Sequence, residues 1–101
     1  MQYAKEKYKN LLISRNPEQL FSEIDNEVVM LNIQSGEYYS LNSIGSAIWK
    51  MLSIPSTFEA LIKSLMEDYN VDRVTCENDT NEFIEESVSL GIIRISNDGT
   101  K

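Results

Sequence analysis

The sequence predicts an α+β fold in which a three-stranded antiparallel meander precedes three helices, an arrangement compatible with a winged helix. Two observations predict it. The first part of the chain contains short, alternating β-prone segments separated by turn-forming pairs, whereas the second part has apolar residues at helical spacing. Because strands and helices are segregated along the chain, the helices are expected on one face of the sheet. A chain of 101 residues is expected to form one domain.

The three predicted strands are joined by very short turns. They cover residues 19–24, 27–34 and 37–41, and the pairs Asp25-Asn26 and Ser35-Gly36 supply the turn residues. Neighbouring side chains of a strand point to opposite faces. In the second strand, Val29, Leu31 and Ile33 lie on one face, and Met30 and Asn32 lie on the other. In the third strand, Tyr39 and Leu41 lie on one face, and Tyr38 and Ser40 lie on the other. Tyr39 is expected to point toward the core.

The apolar spacing becomes helical after residue 41. A first helix is expected to begin at Asn42 or Ser43 and to end at Ile54-Pro55, because proline lacks the amide donor. A second helix is expected from the cap Thr57 to about Asn70, and a third from the cap Thr75 to Gly91, which suits a left-handed C-terminal position. The thin apolar side of the third helix consists of Phe83, Ile84, Val88 and Leu90, and a short β-prone tail with Ile92, Ile93 and Ile95 follows it.

The charge of the chain is unevenly placed. Residues 1–15 have a net charge of +3, so the remainder carries −10 of the total of −7. We expect residues 1–15 to be a basic, partly disordered segment, residues 16–95 to be the domain and residues 96–101 to be a frayed tail. The basic segment is either a solvated terminus or a docking patch for an acidic partner. No apolar run is long enough for a signal peptide or a membrane span, which predicts a cytoplasmic protein without membrane contact.

Composition excludes several kinds of chemistry. The chain has no histidine and one cysteine, Cys76, so a catalytic triad, a Cys–His pair, a structural zinc site and an internal disulfide cannot be built from it. Cys76 near a helix start could be a reactive thiol, but Glu77 and Asp79 oppose thiolate formation. A small enzyme that uses carboxylates such as Glu37 and Asp79 remains an alternative.

Charge also argues against nucleic acid as a partner. In a winged helix the third helix would read DNA, yet here this helix has acidic residues and no basic ones from residue 76 to 90. Affinity for DNA depends on basic side chains that neutralise phosphates. The sequence therefore predicts no nucleic-acid binding.

The third predicted strand has an unguarded outer edge. Residues 37–41 contain neither proline nor lysine, which usually protect such edges. An open edge beside a helix forms a groove in which an extended peptide can add as a strand. The alternatives are an aggregation-prone edge, or an edge covered by the N-terminal segment or by a second copy of the chain.

An ordered series of residues stands at characteristic spacings along most of the chain. It consists of Gly36, Tyr38, Tyr39, Leu41, Asn42, Gly45, Ile48, Trp49 and Leu52, then Thr57, Leu61, Leu65 and Tyr69, and finally Asp79, Phe83, Ile84, Gly91, Ile92 and Ile93. This series resembles the PqqD-like family, the leader-peptide-recognition domains of ribosomal peptide pathways, also called RiPP recognition elements. The resemblance covers about residues 13–95 and is greatest to the stand-alone protein of lasso-peptide biosynthesis.

The resemblance implies an adaptor without catalytic activity or cofactor. It would bind the leader of a precursor peptide as an antiparallel strand on the third strand, against the third helix, and present it to a leader peptidase and a cyclase. The implied peptide-binding residues are Glu37, Tyr38, Tyr39, Ser40 and Leu41 on the strand, and Asp79, Thr80, Phe83, Ile84 and Ser87 on the helix.

Two of these helix positions depart from the family pattern. Thr80 and Ser87 replace apolar residues, which enlarges or polarises the helix side of the groove unless Val88 compensates. The alternative function is that of a winged-helix regulatory or structural domain that binds a protein partner and has no role with a leader peptide.

Overall fold

In the computed structural model, residues 7–97 are described, and they form five strands and three helices. The predicted basic segment up to residue 6 and the predicted tail from residue 98 lie outside the described residues. In chain order the elements are β1 (Leu11–Arg15), β2 (Leu20–Ile24), β3 (Glu27–Asn32), β4 (Glu37–Ser40), α1 (Ser43–Met51), α2 (Phe58–Asp68), α3 (Arg73–Ser89) and β5 (Ile93–Asn97).

Strands β2, β3 and β4 form the predicted antiparallel meander, and the three helices follow it, which confirms the fold class. Asp25 and Asn26 have φ angles of 52° and 70°, so this pair makes a tight turn with left-handed residues. β3 is shorter than predicted because the Asn32 side chain accepts hydrogen bonds from the backbone N–H groups of Gln34 and Ser35 and begins the next turn.

One face of the meander packs on the helices and the other is open. Val28 and Met30 are completely buried on the packed face, and Tyr39 lies opposite Met30 in the ladder, so its side chain is on that face as predicted. Leu31 and Ile33, which belong to the other set of the predicted alternation, are exposed. The buried face of β3 is therefore the one with fewer apolar residues, that of Val28 and Met30.

Side chains at the N-termini determine where the helices begin. Asn42 accepts from the Gly45 N–H at 2.7 Å and Thr57 from the Ala60 N–H at 3.2 Å, which confirms both predicted caps. The prediction of Thr75 as the third cap is wrong. Asp72 takes that role and accepts from the Thr75 N–H at 3.1 Å, so the helix begins at Arg73.

The buried side of α3 is also different from the predicted one. Cys76, Thr80, Ile84 and Ser87 are buried, whereas Val88 and Leu90 are exposed. These buried residues recur at the helical interval and three of them are small, which lets the helix pack closely on the domain. Gly91 ends the element with a φ of 79°, as predicted.

A second, two-stranded sheet joins β1 to β5 and was not predicted from the sequence. Leu11–Arg15 pairs antiparallel with Ile93–Asn97, so residues 96 and 97 continue a strand instead of fraying. Tyr8 stacks on Phe58 with ring centroids 5.0 Å apart and is buried. Residues 8–15 are thus packed on the domain, although the prediction from the sequence assigned them to a partly disordered terminal segment.

The core lies between the meander and the helices and continues under the second sheet. Its largest members are completely or almost completely buried. Among the residues that the structure describes, no helix has the length and apolar character needed to cross a bilayer. The core side chains include Ile13, Met30, Ile48, Trp49, Leu52, Phe58, Leu61, Ile62, Leu65, Ile84 and Ile93.

Candidate functional site

The outer edge of β4 is open within residues 7–97. The strand order is β2-β3-β4, so β4 has a neighbour on one side only, and β1 pairs with β5 instead of covering this edge. Leu41 donates its N–H to the Val28 carbonyl at 2.8 Å, which identifies the hydrogen-bonded positions of the ladder. Because these positions alternate, the backbone N–H and C=O groups of Tyr38 and Ser40 point away from β3.

Helix α3 forms the wall opposite this edge. Two adjoining depressions lie between them, with volumes of about 260 and 190 Å³, and both are lined by Asn42, Phe83 and Glu86. We call this feature the β4–α3 groove. Its remaining walls are Tyr39, Ser40, Leu41, Ile44 and Gly45 on one side and Asp79, Glu82, Ser87 and Leu90 on the other.

The floor of the groove is made by a close contact between two helices. A Cβ atom on Gly45 of α1 would lie 3.0 Å from Cε1 of Phe83, so glycine is needed for the aromatic ring to occupy its present place. Phe83 is only partly buried, and one part of its ring surface is accessible from the groove. The groove therefore offers an apolar floor beside a row of unpaired backbone groups.

The length of the groove suits a short extended peptide. From Asp79 to Leu90 helix α3 rises about 16 Å at about 1.5 Å per residue. An extended chain covers the same distance with about five residues at about 3.3 Å each. Each depression is smaller than a typical small-molecule pocket of about 300–1,000 Å³. The shape thus favours a strand over a compact ligand.

The groove is negatively charged. Asp79, Glu82 and Glu86 line it, and none of these carboxylates has a hydrogen bond or ion pair with a side chain of residues 7–97. Tyr39 and Glu86 line the same depression from opposite sides. The pKa of Tyr39 is raised, first by burial of the phenol and then by the negative charge of Glu86. By contrast, Glu85 is paired with Lys7 and Glu77 with Arg73.

The structure brings most of the predicted peptide-binding residues to this place. Tyr39, Ser40, Leu41, Asp79, Phe83 and Ser87 line the groove, and Glu37 and Tyr38 belong to the same strand. Thr80 and Ile84 are completely buried and do not line it, because they lie on the core side of α3. The polar residue Thr80 therefore leaves the groove unchanged, and of the two departures from the family pattern only Ser87 affects it.

Sequence reasoning missed six groove residues. Asn42, Ile44, Gly45, Glu82, Glu86 and Leu90 line the groove together with the predicted set. The last three each lie three positions after a predicted residue, Asp79, Phe83 or Ser87, and residues three and four apart share a helix face, so this spacing would have identified them. Asn42 had been assigned only a capping role, and its side chain serves that role as well.

Groups that could support chemistry are sparse in the described part of the chain. No cluster of three or more histidine, cysteine, aspartate or glutamate side chains there is placed to hold a metal ion. Cys76 is buried on the core side of α3, and this burial raises the pKa of its thiol, which keeps it protonated at neutral pH. The reactive-thiol alternative thus has no support in the geometry.

A second surface with unusual character is the outer face of the meander, which we define by Leu20, Ile24, Val29, Leu31 and Tyr38. Leu31 lies opposite both Leu20 and Tyr38 in the ladders, so these side chains share one face. Ile24 is 58% and Tyr38 is 72% exposed. The solvent side of an antiparallel sheet normally carries polar residues, and an apolar one is typical of an interaction surface.

The chain was compared with protein families, curated proteins and solved structures. The sequence model of the family "Coenzyme PQQ synthesis protein D (PqqD)" matches residues 27–93. No curated protein matches the chain.

Two solved structures have the same fold. One is TbiB1 in complex with the TbiA(beta) leader peptide, with a TM-score of 0.70, 28% identity, and coverage of 87% of this chain and 98% of that chain. The other is a lasso peptide synthetase B1 complexed with the leader peptide, with a TM-score of 0.69, 24% identity, and coverage of 81% and 96%.

Proposed function

Because the chain belongs to the PqqD family, which matches residues 27–93, we propose that it is a non-catalytic adaptor that binds the leader of a ribosomally made precursor peptide. The observation that carries the proposal is the open edge of β4 beside α3. The leader adds to β4 as an antiparallel strand and places side chains against Phe83 in the β4–α3 groove. The likeness to TbiB1, solved with a leader peptide bound, supports this role in a pathway of the lasso-peptide type.

A titration with a synthetic leader peptide tests this function. The leader is taken from a precursor gene sought in the genomic neighbourhood of this one, and amide chemical shifts are followed during the addition. We expect the largest shifts in β4 and along the groove side of α3, with little change in β1 and β5, which lie outside the groove. A leader that fails to bind, or that shifts only residues away from β4 and α3, would contradict the proposal.

We propose further that the outer face of the meander holds the leader peptidase, which cuts the leader before a cyclase acts on the product. Its exposed apolar side chains provide the contact area. Tyr38 connects the two surfaces, because its side chain lies on this face while its backbone lies on the open edge. A peptidase bound there would contact the strand that holds the leader.

Replacing Ile24 and Leu31 by glutamine should weaken peptidase binding at least tenfold and leave leader affinity unchanged, because neither residue lines the groove. Biosensor titration with the peptidase encoded in the same gene cluster measures the first quantity. The matched control replaces Ile54 and Val74, which are exposed apolar residues outside the meander, by glutamine. Equal peptidase affinity in both variants would overturn the assignment, as would a dimer of this chain that the Ile24/Leu31 variant converts to a monomer.

A further inference from the structure

The acidic residues of the β4–α3 groove lie toward one of its ends. Asp79 and Glu82 line the depression next to Ile44 and Gly45 at the start of α1, and Glu86 lies between this depression and the one beside β4. Asn42, two residues beyond the C-terminal end of β4, also lines both depressions. The negative charge is therefore concentrated where β4 ends, while Ser87 and Leu90 continue the groove without charge.

The carboxylates of Asp79, Glu82 and Glu86 form no ion pair with residues 7–97, although ion pairs occur elsewhere in this part of the chain. Lys50 is paired with Glu23, and Arg73 with both Glu59 and Glu77, but no basic side chain among residues 7–97 reaches Asp79, Glu82 or Glu86. Three like charges along one helix face repel each other and are unfavourable in the absence of a counter-charge. An opposite charge on a bound peptide removes this repulsion and adds attraction.

The direction of strand addition places that counter-charge within the peptide. A strand that adds antiparallel to β4 has its N-terminal part beside the C-terminal end of β4. This part lies at the acidic end of the groove, next to Asn42. We propose that the leader segment bound by this protein has lysine or arginine side chains in its N-terminal part, and that Asp79, Glu82 and Glu86 select for them. The inference rests on the proposed function, since it assigns a charge to the leader.

Charge-neutral variants of the groove test the inference. The triple variant Asp79→Asn, Glu82→Gln and Glu86→Gln keeps the side-chain shapes, and the control variant Asp25→Asn, Glu67→Gln and Asp68→Asn removes the same charge from exposed positions outside the groove. The probe is the synthetic leader of the neighbouring precursor gene, acetylated at its N-terminus so that the terminal amine carries no charge. Its dissociation constant is measured by calorimetry at about 50 mM and 300 mM salt.

We expect the groove variant to bind the leader about tenfold more weakly than the unchanged protein at low salt, and the control to bind within about twofold. Added salt should weaken binding by the unchanged protein and have little effect on the groove variant. A leader whose N-terminal lysine and arginine residues are replaced by glutamine should lose affinity for the unchanged protein and show no further loss with the groove variant.

Three results would overturn the inference. If the leader binds all three proteins equally and without response to salt, or carries no basic residue in the bound segment, the charge selection is wrong while leader binding remains. If the groove variant binds normally but unfolds at a lower urea concentration than the control, the three acidic side chains stabilise the N-terminus of α1 and do not select the leader. If the leader does not bind the unchanged protein at all, the proposed function fails, and the charge selection fails with it.

Discussion

Proline at Tyr38 or at Ser40 will abolish leader binding while the domain remains folded. The N–H groups of both residues point to the open edge of β4, where an added strand needs them as donors. Proline has no N–H and is tolerated on an edge strand whose amide faces solvent. Each variant thus removes one hydrogen bond to the peptide and places a ring in its path. Titration of the leader by calorimetry should show at least a hundredfold loss of affinity.

Two neighbouring substitutions make this experiment specific. Ser40→Ala keeps the backbone donor and should bind with nearly unchanged affinity. Tyr39→Pro removes a donor from the β3–β4 ladder, because Tyr39 lies at a hydrogen-bonded position, and should destabilise the fold itself. If the variants Tyr38→Pro and Ser40→Pro are folded by circular dichroism and still bind the leader normally, the leader does not add to this edge.

Trp49→Ala should lower the free energy of unfolding by about 3–5 kcal/mol, the largest stability effect that we expect from one substitution in this chain. The side chain is 1% exposed, and its ring meets the Phe21 ring edge-on with centroids 5.2 Å apart. The Arg15 guanidinium carbon lies 4.5 Å from the indole centroid, and Arg15 also donates hydrogen bonds to the Trp49 carbonyl. Truncation leaves a cavity and removes the ring that both neighbours contact.

Urea denaturation followed by far-ultraviolet circular dichroism measures this loss, since Trp49 is the sole tryptophan of the sequence and fluorescence would disappear with it. Trp49→Phe is the matched variant. It retains a ring and removes the indole N–H, which is buried without a hydrogen-bond partner among residues 7–97. Because such an unpaired donor costs about 1–3 kcal/mol, the phenylalanine variant should lose much less stability than the alanine variant. A loss below about 1 kcal/mol for Trp49→Ala would contradict the packing described for this residue.

Local signals were sufficient to predict the meander and two of the helix starts. The turn at Asp25-Asn26 and the caps Asn42 and Thr57 each depend on residues within a few positions of one another, so the sequence displays the whole interaction. The same holds for Gly91 at the end of α3. The strand side of the groove followed from this, since the third strand of a meander has an open edge.

Long-range packing could not be read in the same way. β1 pairs with β5 from the other end of the described chain, and neither segment alone shows an alternation strong enough to predict a sheet. The buried side of α3 consists largely of small or polar residues such as Thr80 and Ser87, so hydropathy pointed to the exposed residues Val88 and Leu90 instead. The helix side of the groove was less completely predicted for this reason. When the wrong residues of α3 are assigned to the core, the wrong residues are also assigned to the groove.

The pairing of β1 with β5 brings the first and the last described strand of the domain to within one strand spacing of each other. Leu11 lies opposite Asn97, and paired Cα atoms in such a ladder are about 5 Å apart. A unit whose entrance and exit adjoin can be inserted whole into a surface loop of a host protein with little strain on either partner. Neither strand lines the β4–α3 groove. The domain is therefore suited to serve as a portable module, grafted between the halves of an enzyme while its peptide edge stays accessible.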